Sequence, residues 1–286
     1  MSIHAKRFCA SKIKALVLDL DGTTLAPGAA LSERTIRAVK TCKKRGLKVI
    51  IATGRATESA ERYRAALGLE GPMIYFNGAV VADMPENKIL KATLLDKKAV
   101  EFCVELSREM GVYYHVFFPV SPKNDSFQIK LMAEFDTPER KQYQSHTGIS
   151  IELADIKKFL KQPEITGCLK GMFVAGPEKL AAIRQRLEQN FCSGVYITQS
   201  MNNFLEVLDK NVSKGRALGF VMEHLSLKKE EVMAFGDEEN DLPMFAAAGF
   251  SAAPSSANES IKAQADIVLA SNADDGVAAF LEKNFG

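Results

Sequence analysis

The sequence predicts an α/β fold in which a doubly wound parallel sheet is interrupted by an inserted α+β domain. Three observations carry this expectation. Apolar runs of strand length alternate with amphipathic helical stretches at both ends of the chain. Four of those runs stop at polar motifs containing glycine, and in open parallel sheets ligands bind at the carboxyl ends of strands. The middle of the chain drops the rhythm for helices that are each followed by two adjacent strands.

In order, the first apolar run, through Ala15-Leu16-Val17-Leu18, meets Asp19-Leu20-Asp21-Gly22. A helix over Leu31 to Arg45 follows, with Ser32 as its cap, Ile36 and Val39 on an apolar stripe beside Lys40 and Lys43, and Gly46 as its stop. The second strand, Leu47 to Ala52, ends at Thr53-Gly54-Arg55, and a second amphipathic helix closes at Gly68. The third, Met73 to Phe76, ends at Asn77-Gly78, and a polar break over Asp83 to Lys88 precedes the insert.

The insert reads as a helix over Asp96 to Met110 and strands at Val112 to Phe118 and Phe127 to Met132. A charged stretch with Pro138 and Pro163 shows no clear pattern. A strand at Leu169 to Ala175, a helix at Pro177 to Phe191, and strands at Val195 to Gln199 and Phe204 to Leu208 follow. The α/β rhythm returns with a helix over Ser213 to Leu225 and a strand, Val232 to Phe235, ending at Gly236-Asp237. A helix over Asp241 to Ala248, two short strands around one more helix, and a helix over Asp275 to Asn284 finish the chain. The expected division is residues 1–83 and 209–286 as the core and 84–208 as the insert.

Composition excludes several classes of function. The 286 residues carry 37 Lys and Arg against 35 Asp and Glu, a net charge of +2, which leaves no basic excess for nucleic acid or an anionic membrane. The five cysteines, Cys9, Cys42, Cys103, Cys168 and Cys192, are odd in number and never paired as Cys-x-x-Cys, as expected of reduced thiols in a cytoplasmic protein. The polar first twelve residues do not form a signal peptide, and no run approaches a membrane span. Asn124-Asp125-Ser126 fits a glycosylation pattern that a cytoplasmic chain would not use.

The chemistry collects at the four strand ends. No phosphate-binding P-loop, dinucleotide glycine loop or serine elbow is present. Asp19-Leu20-Asp21-Gly22 is not a calcium loop, because Ala30 stands where the bidentate Glu belongs. Carboxylates, a hydroxyl and cations remain, a set suited to phosphoryl transfer. Asp19 can attack phosphorus, and Asp21 is spaced to protonate the leaving oxygen and then to activate water. Asp237 and Asp19 would hold a magnesium ion, while Thr53 and Lys214 would hold phosphoryl oxygens. Lys214 opens a helix, where a cation opposes the macrodipole and so invites a further reason for its presence.

Asp-x-Asp-Gly-Thr, Thr-Gly-Arg, Ser-Lys-Gly and Gly-Asp-x-x-Asn-Asp together resemble the four motifs of the haloacid dehalogenase superfamily. The insert resembles the C2-type cap of its Cof-like branch. The resemblance implies a Rossmann-like core and a magnesium-dependent phosphatase of small phosphorylated metabolites, sugar phosphates first. Asp19 would be the nucleophile, Asp21 the acid/base, and Thr53 and Lys214 phosphate ligands. Metal would be held by Asp19, Asp237 and the main-chain carbonyl of Asp21, with Asp241 supporting its water shell. Asn240 would lie near the phosphate, and Gly54, Asn77 and Gly78 would border the substrate; Arg55 would either contact the substrate with them or cap and pair locally. The same core would also serve a sugar phosphomutase or a catalytically idle metabolite-binding regulator. Glu238 departs from the family's usual glycine, and Pro254-Ser255-Ser256 from its usual loop.

Overall fold

A computed structural model of the protein describes residues 8–123 and 126–286; segment 1–7 and Asn124-Asp125 of the glycosylation-like triplet lie outside the described residues. The chain forms two compact units, one of Met1–Glu86 with Ser213–Gly286 and one of Asn87–Val212. Among the described residues no helix is long and apolar enough to cross a membrane.

The first unit contains β1 (Ala15–Leu18), α1 (Glu33–Lys44), β2 (Lys48–Ile51), α2 (Thr57–Leu67), β3 (Gly71–Tyr75) and β4 (Val80–Met84). After the insert come α3 (Lys214–His224), β5 (Val232–Phe235), α4 (Leu242–Ala247), β6 (Phe250–Pro254), β7 (Ile267–Leu269) and α5 (Gly276–Phe285). The sheet order is β7-β6-β5-β1-β2, all parallel, and a single bridge from Ala52 to Ile74 continues it to β3. The chain therefore winds outward from β1 through β2 and β3, then returns to wind the other way from β5. The point where the winding reverses lies between β1 and β5, where such sheets bind ligands. All four residues of β1 are buried, as are all four of β5, which is why both read as unbroken apolar runs.

Local signals explain the helix limits. Ser32 Oγ accepts from Thr35 N at 3.0 Å as the α1 cap, and Gly68 adopts φ +63° just past α2. The face that α1 buries is Thr35, Ala38, Val39 and Cys42. β4 was not expected from the pattern. It pairs antiparallel with β3 from Tyr75 opposite Val80 onward, through a turn in which Asn77 and Gly78 both have positive φ. A tight turn needs only these few residues, so the motif that ends β3 also leads directly into the next strand.

The second unit has one six-stranded sheet in the order 195–201, 204–209, 170–174, 113–123, 126–133, 151–153. Helices Lys97–Met110, Ile156–Leu160 and Pro177–Phe191 cover one face through Val100, Cys103, Phe159 and Ile183 packed on Val116, Phe118, Phe173 and Val207. Pro138–Thr147 is also helical, where no element was expected. Pro138 occupies its first turn and Thr137 Oγ1 caps Arg140 N, so this proline starts a helix instead of breaking one.

Candidate active site

Asp19 follows β1 and Asp237 follows β5, so the parallel register that sets Leu18 beside Phe235 also brings these two carboxylates together. Asp19 N donates to Phe235 O at 3.0 Å and fixes the junction. Oxygens of Asp19, Asp237 and Asp241 all lie within 4.8 Å of one another.

Lys214, only 1% exposed, lies among them. Its Nζ donates to Asp19 Oδ1 and to Asp241 Oδ1, each at 2.6 Å. Ser213 caps α3 through Arg216 N and thereby sets Lys214 at the first helical position, facing the carboxylates. The ion pairs supply the reason that a cation at a helix start invites. Asp241 Oδ2 accepts from Asp237 N at 2.9 Å and Glu238 N at 3.1 Å. Both oxygens of Asp241 are thus engaged in holding Lys214 and the loop after β5.

The glycines of these motifs allow close approach. Gly22 has φ +77°, and a Cβ there would stand 2.1 Å from Asp237 Oδ2. Gly78 presses on Ser213 O, which a Cβ would meet at 2.4 Å. Thr23 Oγ1 donates to Asp237 Oδ1 at 2.5 Å, a contact the sequence reading missed although Thr23 stands in the first motif.

Thr53 and Asn77 are buried at the ends of β2 and β3, linked by Asn77 N donating to Thr53 O at 3.0 Å. Asn240 Nδ2 donates to Asn77 Oδ1 at 3.0 Å, while Asn240 Oδ1 is buried with no hydrogen-bond partner among the described residues. A Cβ on Gly54 would meet Asn77 Oδ1 at 2.8 Å, so Gly54 also serves packing. Asp21 does not join the carboxylate cluster by its side chain. Both of its oxygens accept from Arg55, Oδ2 from Nε at 2.7 Å and Oδ1 from Nη2 at 2.6 Å.

The electrostatics follow from two buried carboxylates, Asp19 and Asp241, sharing one lysine with the half-buried Asp237 beside them. Burial pushes Asp19 up to about 7, with Asp241 and Asp21 adding to the rise and Lys214 opposing it. Burial, then the charges of Asp19 and Asp241, push Asp237 up to about 9. Burial and the Asp241 charge raise Glu238 as well. Lys214 is held charged, because Asp19 and Asp241 outweigh the burial that opposes its charge. Excess negative charge on hard oxygen donors is a setting that fits a divalent cation such as magnesium.

In the second unit, His115 is fully buried, with Nδ1 3.2 Å from Tyr113 Oη and its ring 4.6 Å from that of Tyr143. This agrees with a packed strand residue. Asn203 is exposed, whereas Glu206 is buried and paired with Lys170.

A profile of the haloacid dehalogenase-like hydrolases matches residues 16–281. An HMP-PP phosphatase of Serratia proteamaculans is 32% identical over 232 residues, covering 81% of this chain and 80% of that protein. A 5-amino-6-(5-phospho-D-ribitylamino)uracil phosphatase of Bacillus subtilis is 27% identical, covering 95% and 98%. A crystal structure from Thermotoga maritima aligns with a TM-score of 0.76 at 30% identity, over 95% of this chain and 97% of that one.

Proposed function

Because the chain belongs to the haloacid dehalogenase-like hydrolases, and is a phosphatase of that family, we propose that it hydrolyses small phosphorylated metabolites through an aspartyl-phosphate on Asp19. The observation that carries this reading is the cluster at the winding reversal. Asp19 is held by Lys214 beside Asp237 and Asp241, at the strand end where a phosphoryl group would be met.

Asp19 is the nucleophile and Asp21 the acid/base that serves both halves of the reaction. Lys214 balances part of the charge that gathers on the phosphoryl oxygens, and Thr53 and Asn240 offer further polar groups there. Magnesium would be held by Asp19, Asp237 and the main-chain carbonyl of Asp21, with Asp241 behind them. When bound, the ion would neutralise charge on carboxylates and phosphoryl oxygens that are otherwise mutually repulsive.

Sugar phosphates are the first choice of substrate, and the 87–212 unit is proposed to select among them. By their names the relatives above are phosphatases of HMP-PP and of 5-amino-6-(5-phospho-D-ribitylamino)uracil, so a panel that sets these two compounds beside sugar phosphates is the informative screen. Asp19→Asn is expected to abolish magnesium-dependent phosphate release from an aryl phosphate, a loss of at least about 10³-fold given the size of nucleophile effects. Turnover within tenfold of the unaltered protein would overturn the assignment.

A further inference from the structure

Arg55 stands behind the residue that this reaction asks to move a proton. Its fork occupies both oxygens of Asp21, and the fork is itself anchored. Arg55 N donates to Thr53 Oγ1 at 3.1 Å, and Arg55 O accepts from Phe76 N at 3.0 Å. The guanidinium carbon lies 5.2 Å from the centroid of Tyr63 on α2. The Arg55 side chain is 7% exposed and that of Asp21 25%, so a buried, braced cation holds a more exposed carboxylate. A carboxylate on a turn has several rotamers open to it, and proton transfer needs its oxygen within hydrogen-bond reach of one particular atom. Two parallel N–H donors fix the rotation of the carboxylate as well as its place, which one ammonium contact would not do.

We propose that Arg55 is a positioning residue that acts through Asp21, setting the orientation from which Asp21 moves its proton. This rests on the reading of Asp19 and Asp21 above. In the first half-reaction an Asp19 oxygen bonds to phosphorus, the bond from phosphorus to the leaving oxygen breaks, and that oxygen takes the proton of Asp21. In the second, a water oxygen bonds to phosphorus, its proton passes to Asp21, and the bond from phosphorus to Asp19 breaks. Ester and water become alcohol and phosphate, and both aspartates return to their starting forms. Arg55 exchanges no atom in either half. Its first task falls on substrates whose leaving oxygen needs a proton.

The experiment measures kcat/KM of Arg55→Ala and Arg55→Lys on an alkyl phosphate and on p-nitrophenyl phosphate, whose phenolate leaves without protonation. The two substitutions are also combined with Asp21→Asn. Arg55→Ala is expected to lose at least about tenfold more on the alkyl phosphate, since positioned acid catalysis is worth roughly 10²–10⁴-fold. Arg55→Lys should recover only part of that loss. In the Asp21→Asn background Arg55→Ala should add little, because its effect passes through the missing carboxylate. Inhibition by orthovanadate, a phosphoryl mimic, should be unchanged within twofold. Equal losses on both substrates, additivity with Asp21→Asn, or weakened vanadate binding would make Arg55 a substrate ligand and overturn the proposal. Thermal unfolding of each variant separates these results from a failure to fold. Retained activity in Asp19→Asn would sink the parent reading instead, whatever Arg55 does.

Discussion

Asp241 shows how one side chain can hold the parts of a site together. With one oxygen on Lys214 and the other on two backbone amides, it ties α3 to the loop after β5. Asp19 and Asp237, each with an oxygen outside these contacts, are the carboxylates proposed to meet a cation, and their raised proton affinities supply a test. In an unfolded chain both would titrate near 4; in the folded, metal-free site they rise to about 7 and about 9. Their protonated forms therefore favour folding at low pH, and that contribution fades as pH climbs through about 7 and then about 9. A divalent cation bound there would replace those protons. The rise in Tm on adding magnesium should accordingly be larger at pH 8.5 than at pH 5.5, by ~3 °C for each kcal/mol of difference. Equal shifts at both values would contradict this site as the place of binding. The carboxylates themselves were legible in the sequence because charged residues interrupt buried apolar runs. The fork from Arg55 to Asp21 was not, since it depends on how the turn after β1 meets the loop after β2.

Elements of the second unit add a buried ion pair that no periodicity would place. Met172 stands opposite both His115 and Glu206 in the sheet, and Lys170, two residues back on the same face, reaches Glu206. Both side chains of the pair are almost fully buried. Alternation along one strand tells which residues share a face, but register across three strands of distant origin is decided by the fold. Removing one partner leaves an uncompensated buried charge, so Lys170→Met should cost about 3–5 kcal/mol in denaturant unfolding. Lys170→Met with Glu206→Leu should regain most of that loss. A double variant as unstable as the single one would show that packing, not charge, is what the site cannot do without. The helix Pro138–Thr147 is not legible for a different reason: it is charged and has little apolar content, so there is no stripe to detect.

At the scale of the whole molecule, the insertion is the organising fact, and the change in rhythm made an insert legible in the sequence, with its bounds expected at 84 and 208. Contacts divide the chain after Glu86 and Val212. The strand at Val80–Met84 belongs to the first unit and takes up Asp83 and Met84 of the expected polar break, and the boundary falls after Glu86, within that break. The second unit has its own apolar core between sheet and helices, the mark of a domain able to fold alone. Residues 87–212 expressed by themselves should unfold in one cooperative thermal transition and show no phosphatase activity. A broad, non-cooperative transition would mean that this unit depends on the other for its structure.

The strand order has a consequence for synthesis. β1 lies between β2, which leaves the ribosome soon after it, and β5, which comes only after the whole insert has been made. Until then, one edge of the strand leading to Asp19 has no neighbour, and its amides and carbonyls are open to any passing strand. Asp19 meanwhile lacks Lys214, 195 positions downstream, as its counter-charge. A nascent chain halted in the insert therefore carries an apolar open edge that ends in an unpaired carboxylate, a form that chaperones would be expected to hold. Fusing the last 74 residues (213 to 286) ahead of the first, as a circular permutant, would close that edge before the insert is made.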